Sequence, residues 1–101
     1  MKPETEILLM AADIIEHVGW CQRTRFRRNR AGNLLAACAV GAVDMALEET
    51  NPPELTRYYV IDALKASIQR RCVASWNDDP SRTRKQVYTA LRKAAELAEE
   101  K

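Results

Sequence analysis

Apolar residues recur at three- and four-residue steps in three stretches of the chain, and a fourth stretch is apolar all round. Ile7, Leu8, Ala11, Ile14, Ile15 and Val18 make one stripe behind Pro3 and the acids Glu4 and Glu6, which suit the positive end of a helix, so a helix is predicted over 4–18. Gly19 is expected to stop it in the left-handed conformation, with Trp20 folding back against Ile15. From 33 to 43 no charge occurs before Asp44, which predicts a central helix over 33–49. Ala37, Gly41 and Ala42 give it a small-residue face, so Gly41→Leu is expected to be poorly tolerated.

Pro52 and Pro53 separate that helix from the next, with Asn51 and Glu54 at capping-box spacing. Leu55, Tyr58, Ile61, Leu64, Ile68 and Cys72 then predict a helix over 52–74. The segment 75–81 is rich in turn formers and contains Pro80. Thr83 and Gln86 repeat the capping-box pattern ahead of Val87, Ala90, Leu91, Ala94 and Ala98, the inner face of a helix over 83–98 whose acidic end is expected to fray. No stretch reads as a strand. The expected fold is all-α, one compact domain over 1–101 with four helices and an arginine-rich loop at 22–32.

Composition agrees with a thin core. With 101 residues, 47% of them hydrophobic, and only one Phe, two Trp and three Tyr, the aromatics are expected to anchor it. No run of 18 apolar residues and no basic, apolar leader are present, so neither a membrane span nor export is expected. Three cysteines, Cys21, Cys38 and Cys72, without a CxxC spacing are read as buried reduced thiols, Cys38 and Cys72 on apolar helix faces. The expected compartment is reducing and cytoplasmic.

Net charge is only +2, but its distribution is uneven. Arg23, Arg25, Arg27, Arg28 and Arg30 fall within eight positions, leaving eleven basic against fourteen acidic residues elsewhere. Guanidinium groups bind phosphate bidentately and Phe26 offers a stacking surface, a composition suited to RNA or single-stranded DNA. The plainer alternative is a solvated loop whose arginines pair with Asp13, Glu16 and acids at helix ends. Arg82, Arg84 and Lys85 form a second basic group at the start of the last helix, with Asp78 and Asp79 as the expected neutralising partners.

Chemistry is sparsely signalled. His17 with the three cysteines supplies four zinc-ligand types, but not in the close pairs of structural zinc sites, so no metal or cofactor is expected. Cys21 has only His17 nearby as a base, with no orienting third residue, and no Gly-rich phosphate loop, HExxH or GxSxG occurs. No catalytic residue is assigned. Trp76, Asn77 and Asp78 ahead of Pro80 read either as a packed corner or as one wall of a small-ligand or thiol site with Cys21 and Gln22.

Gly19-Trp20-Cys21-Gln22, then Cys38-Ala39-Val40-Gly41-Ala42, then Trp76-Asn77-Asp78 with Pro80, Arg82 and Thr83, resembles the domain-of-unknown-function 6197 family, uncharacterised small proteins of actinobacteria and their bacteriophages. The resemblance spans the first to the last helix and implies a bacterial or phage origin and a cytoplasmic site, the host cytoplasm if phage-encoded. It implies no activity. Trp20, Cys21, Gln22, Cys38, Gly41, Trp76, Asn77, Asp78, Arg82 and Thr83 fall on its motif, whereas the arginine loop departs from the family pattern. The resulting expectation is a non-enzymatic interaction protein that binds a host macromolecule, a host protein first. Nucleic-acid or polyanion binding through Arg23–Arg30 is the alternative, and a ligand or thiol site near Cys21, Gln22, Asn77 and Asp78 the third. Leu9, Tyr59 and Val60 are the expected patch for homodimerisation.

Overall fold

The computed structural model describes residues 1–101 as a helical bundle with a small β-hairpin laid on one end. The first helix begins with Pro3 as expected: α1 covers Pro3–Asp13 and continues through a π-helical turn, Ile14–Val18. That wider turn leaves the Ile15 and Glu16 carbonyls without helical partners, and Arg84 donates to both, at 2.7 and 2.5 Å.

Gly19 does not take the left-handed cap. It is extended, at φ 162° and ψ 162°, and the need for glycine is steric: a Cβ there would strike the Leu35 carbonyl oxygen and lie 3.3 Å from both Cα and Cβ of Ala36. The reason for folding Trp20 back onto Ile15 therefore falls away. Trp20 instead bridges in parallel to Ala37 and packs on the edge of the core.

The all-α expectation needs amending here, because the chain is mostly helical but carries a two-stranded antiparallel sheet. β1 is Phe26–Arg28 and β2 is Leu34–Ala37, with Phe26 opposite Ala37 and a bulge between Arg27 and Arg28. Both strands lie in segments read as loop and helix. The turn is closed by Asn29 and by Gly32, whose φ of 85° suits glycine. The uncharged run is thus half strand, and α2 starts only at Ala39 and runs to Thr50.

Asn51 ends α2 in the left-handed conformation, φ 47°, instead of capping the next helix. The Asn51–Glu54 capping box does not form, and α3, Thr56–Ile68, has no side-chain cap. The expected helix over 52–74 breaks where Gln69 goes left-handed, and a separate α4 follows at Val73–Asn77. Cys72 leaves the apolar face for the N-cap of α4 and is exposed. α5, Arg84–Glu100, carries the predicted capping box, with Thr83 accepting from the Gln86 N–H and Gln86 from the Thr83 N–H. Its acidic end is held, not frayed: the Glu99 carboxylate accepts from the Lys2 N–H and the Thr5 hydroxyl.

One cluster of twenty buried residues links α1, α2, α3, α4 and α5. Its fully buried large side chains are aliphatic, among them Ile7, Leu8, Ile15, Val43, Val60, Leu64, Val87 and Leu91. The aromatics ring this core: Trp20, Phe26, Trp76 and Tyr88 are half-buried against it, and Tyr58 and Tyr59 are exposed. The α3 stripe is also rotated from expectation, burying Thr56, Val60, Ala63, Leu64 and Ile68 while Leu55 and Tyr58 face outward. Val60 cannot serve a dimer patch, and Leu9 is half-buried against the core.

Candidate functional site

The motif residues converge on one corner, where the chain after Gly19 passes over α4. Asn77 is its hub and is 0% exposed. Its Oδ1 accepts from Trp20 Nε1 at 2.8 Å and from the Ala39 N–H at 3.0 Å. Its Nδ2 donates to the Cys21 carbonyl at 3.1 Å and to Asp78 Oδ1 at 3.0 Å. Two acceptor and two donor positions are the full capacity of an amide side chain, and all four are used inside the fold.

The surrounding residues lock the same joint. Gln22 Nε2 donates to the carbonyls of Asn77 and Asp79, and Asp78 Oδ1 also accepts the Arg23 N–H, steadying Arg23 at a φ of 67°. Arg82 lies over the Trp76 ring, 4.2 Å from its centroid, while Nε donates to the Trp76 carbonyl at 2.9 Å. Cys38 caps α2 with its sulfur, which accepts the Gly41 N–H at 3.3 Å. A Cβ on Gly41 would strike the Arg25 carbonyl and lie 3.1 Å from Phe26 Cε1. Gly41 is thus required by the hairpin lying across α2, not by a neighbouring helix.

This architecture explains a motif that is polar yet structural. The chain matches the profile of a family described as a family of unknown function, DUF6197, over residues 1–97. It belongs to that family. No curated protein and no solved structure matches it. In this DUF6197 chain, of the residues singled out in the sequence, Trp20, Cys21, Gln22, Trp76, Asn77, Asp78 and Arg82 hold turn and helix together at one joint, Cys38 and Gly41 seat the start of α2 beside it, and Thr83 caps α5.

Thiol chemistry at the corner is disfavoured. Cys21 is buried, its Sγ donates to the Thr24 carbonyl at 3.4 Å, and burial, with the neighbouring Cys38, pushes its thiol up. A cavity of about 210 Å³ beside the corner is lined by Asp78 but not by Cys21, Gln22 or Asn77. The thiol with the opposite tendency is Cys72, exposed and held below its ordinary value by hydrogen bonds from the Ser75 hydroxyl and N–H. Sequence reasoning missed it because Cys72 continues the α3 stripe on paper. His17 with Cys21, Cys38 and Cys72 forms no converging ligand set; Asp13, Glu16 and His17 do converge. There Glu16 and Asp13 already face the Arg92 guanidinium, which holds the Glu16 carboxyl below its ordinary value.

The arginine segment divides. Arg25 pairs with Asp44 at 3.0 Å, not with Asp13 or Glu16. Arg57 lies 2.8 Å from the other Asp44 oxygen, close enough for an ion pair though not aligned as a hydrogen bond. Arg28 donates to the Gly32 carbonyl and sits 5.4 Å from the Phe26 centroid. Phe26 itself is half-buried on the core, so it is not a free stacking platform for a base. Arg23, Arg27 and Arg30 are exposed and their side chains have no ion pair. At the start of α5, Arg82 reaches Asp79 at 3.9 Å and Arg84 is committed to the end of the first helix, so Lys85 alone is unpaired.

Proposed function

We propose that the chain is a non-enzymatic interaction protein of phage or actinobacterial origin, working in the host cytoplasm, whose outer α3 face docks on a host protein. The observation that carries this reading is the position of Leu55, Tyr58 and Tyr59, 62%, 65% and 56% exposed, which are half of the six large hydrophobic side chains the fold leaves in solvent. Tyrosines present a large, rigid and amphipathic surface at little conformational cost, and they are enriched in interfaces for that reason. Arg57, Asp62 and Lys65 lie beside Tyr58 in mixed sign, as the polar rim of an interface does. The corner supports the non-enzymatic half of the reading, because its distinctive polar groups are spent on each other.

A photo-crosslinking residue at Tyr59, expressed in an actinobacterial host, tests it. One protein should crosslink there and not from Lys93, and Tyr58→Asp should abolish the product. Equal products from both positions would reject the docking face. A crosslinked product of twice the chain mass would identify the partner as a second copy and replace the host protein.

A second reading, polyanion binding by the hairpin, is favoured by Arg23, Arg27 and Arg30 standing exposed without carboxylates. Retention on heparin should fall steeply with salt and drop when the three become serine. Unchanged retention removes this reading.

A further inference from the structure

The largest of the five substantial grooves lies away from both the α3 outer face and the hairpin, between the end of α3, α4 and the first half of α5. It has a volume of about 430 Å³ and is shallow and open to solvent. Ser67, Trp76, Arg82, Lys85, Thr89 and Lys93 are among its nine lining residues. None of the nine is acidic, whereas each of the other four substantial grooves carries at least one carboxylate.

The charge is organised by the fold. Lys85, Thr89 and Lys93 follow at four-residue steps, so they share one edge of α5. Arg82 is fixed at the mouth: its guanidinium is stacked on Trp76, its Nε is held by the Trp76 carbonyl, and Nη1 lies 3.4 Å from Gln86 Oε1. Its ion pair to Asp79 is long, at 3.9 Å, and Asp79 is already engaged by the Ser81 N–H and hydroxyl at 2.9 and 2.8 Å. At the start of α5 the Gln86 N–H is already taken by Thr83 in the capping box.

We propose that this groove binds a phosphate monoester carried by a mononucleotide-sized ligand; the phosphodiester of a strand, with one charge and two free oxygens, is the weaker match and is an outcome of the test. Two unpaired lysines, with Arg82 and its distant partner Asp79 beside them and no acid in the lining, suit a phosphate monoester of charge about −1.5 to −2 with three strong acceptor oxygens. Lys85 and Lys93 supply free point charges and Thr89 a neutral hydroxyl, while Arg82, held by Trp76 and Gln86, adds positive charge at the edge without offering a free fork. Trp76 and Ala90 give the organic part of the ligand an apolar wall. The site is independent of the α3 docking face and goes beyond it.

The test is a titration of the full chain, followed by amide shifts of residues 82–93, with inorganic phosphate, adenosine monophosphate and a short thymidine oligonucleotide at low salt. Saturable shifts confined to those residues are expected with at least one probe. Lys85→Glu with Lys93→Glu should weaken binding tenfold or more; both side chains are exposed, and an unchanged melting temperature confirms the fold. Tighter binding of the mononucleotide than of inorganic phosphate identifies a free nucleotide, and a further gain with the oligonucleotide would replace the monoester with a strand. Absence of saturation with all three at millimolar concentration would overturn the site. So would binding that survives the double substitution, or that is lost only when Arg27 and Arg30 are replaced.

Discussion

The locked corner and the arginine hairpin are adjacent in sequence and opposite in physics. At the corner, Trp20, Gln22, Asn77, Asp78 and Arg82 are polar side chains whose hydrogen bonds end inside the molecule. One residue after Gln22 begins a run where Arg23, Arg27 and Arg30 point charge into solvent with no anion to receive it. Buried polar groups are stabilising only when satisfied and costly when orphaned, whereas exposed charges contribute little either way. Stability therefore resides in the corner, and freedom to bind or change resides in the hairpin arginines. The residues singled out in the sequence as a motif fall on the first, and the arginine-rich run on the second.

Asn77→Ala should break the contrast most severely. It strands the Trp20 indole N–H, the Ala39 N–H and the Cys21 carbonyl in a buried site. At about 1–3 kcal/mol per unsatisfied group, the loss should exceed about 3 kcal/mol, which lowers the melting temperature by about 12 °C or more in a domain of this size. Thermal denaturation followed by circular dichroism checks it. A loss under about 1 kcal/mol would mean that water replaces the amide and that the corner is not the joint described.

Gly41→Ala comes next, at about 1–3 kcal/mol, because its Cβ meets the Arg25 carbonyl and the hairpin must lift from α2. Thr83→Ala should cost about 1 kcal/mol by removing one half of a capping box. These two positions also show how much of the fold was legible. The Thr83–Gln86 box is local chemistry, written in four consecutive residues, and it was read correctly. At Gly41 the small-residue face was legible, but not which backbone lies against it.

The neighbour was hidden because β2 is spelled Leu-Leu-Ala-Ala, four good helix formers, and is held as a strand only by pairing with Phe26–Arg28 and by the Trp20 bridge. Tertiary pairing overrode propensity there. Asn29 and Gly32, three positions apart around a turn, were the available hint of a hairpin. Sulfur caps are similarly hard to foresee: Cys38 and Cys72 stand where Ser, Thr, Asp or Asn is usual. At the corner, the sequence motif identified the residues that meet but not whether they face each other or a ligand, since that depends on contacts across more than fifty positions of chain.

Acid titration sharpens the contrast on the outside of the fold. The carboxyls of Glu16, Glu99 and Asp79 are held below their ordinary values by Arg92, by the Lys2 N–H with Thr5, and by Ser81, respectively. Groups with depressed folded values stabilise the protein above their unfolded values and lose that contribution as pH falls through the folded ones. Stability should thus be flat near neutrality and decline below about pH 4.5. Glu16→Gln should be less stable than the parent at pH 7 and indistinguishable from it at pH 2. A difference that persists at pH 2 would assign the loss to packing and not to charge.

The smallest expected change is the most informative about the hairpin. Replacing Arg23, Arg27 and Arg30 together by serine removes three formal charges from a chain whose net charge is +2, so its sign inverts. No ion pair is lost with them, and exposed substitutions of this kind stay within about 0.5 kcal/mol each. On the scale used for Asn77, the melting temperature should therefore move by about 6 °C at most, in either direction. Replacing Arg25 instead frees one oxygen of Asp44, a half-buried acid, and should cost more than any one of the other three. If the triple variant unfolded as readily as Asn77→Ala, the hairpin arginines would be structural, the division between corner and hairpin would fail, and the case for polyanion binding there would fail with it.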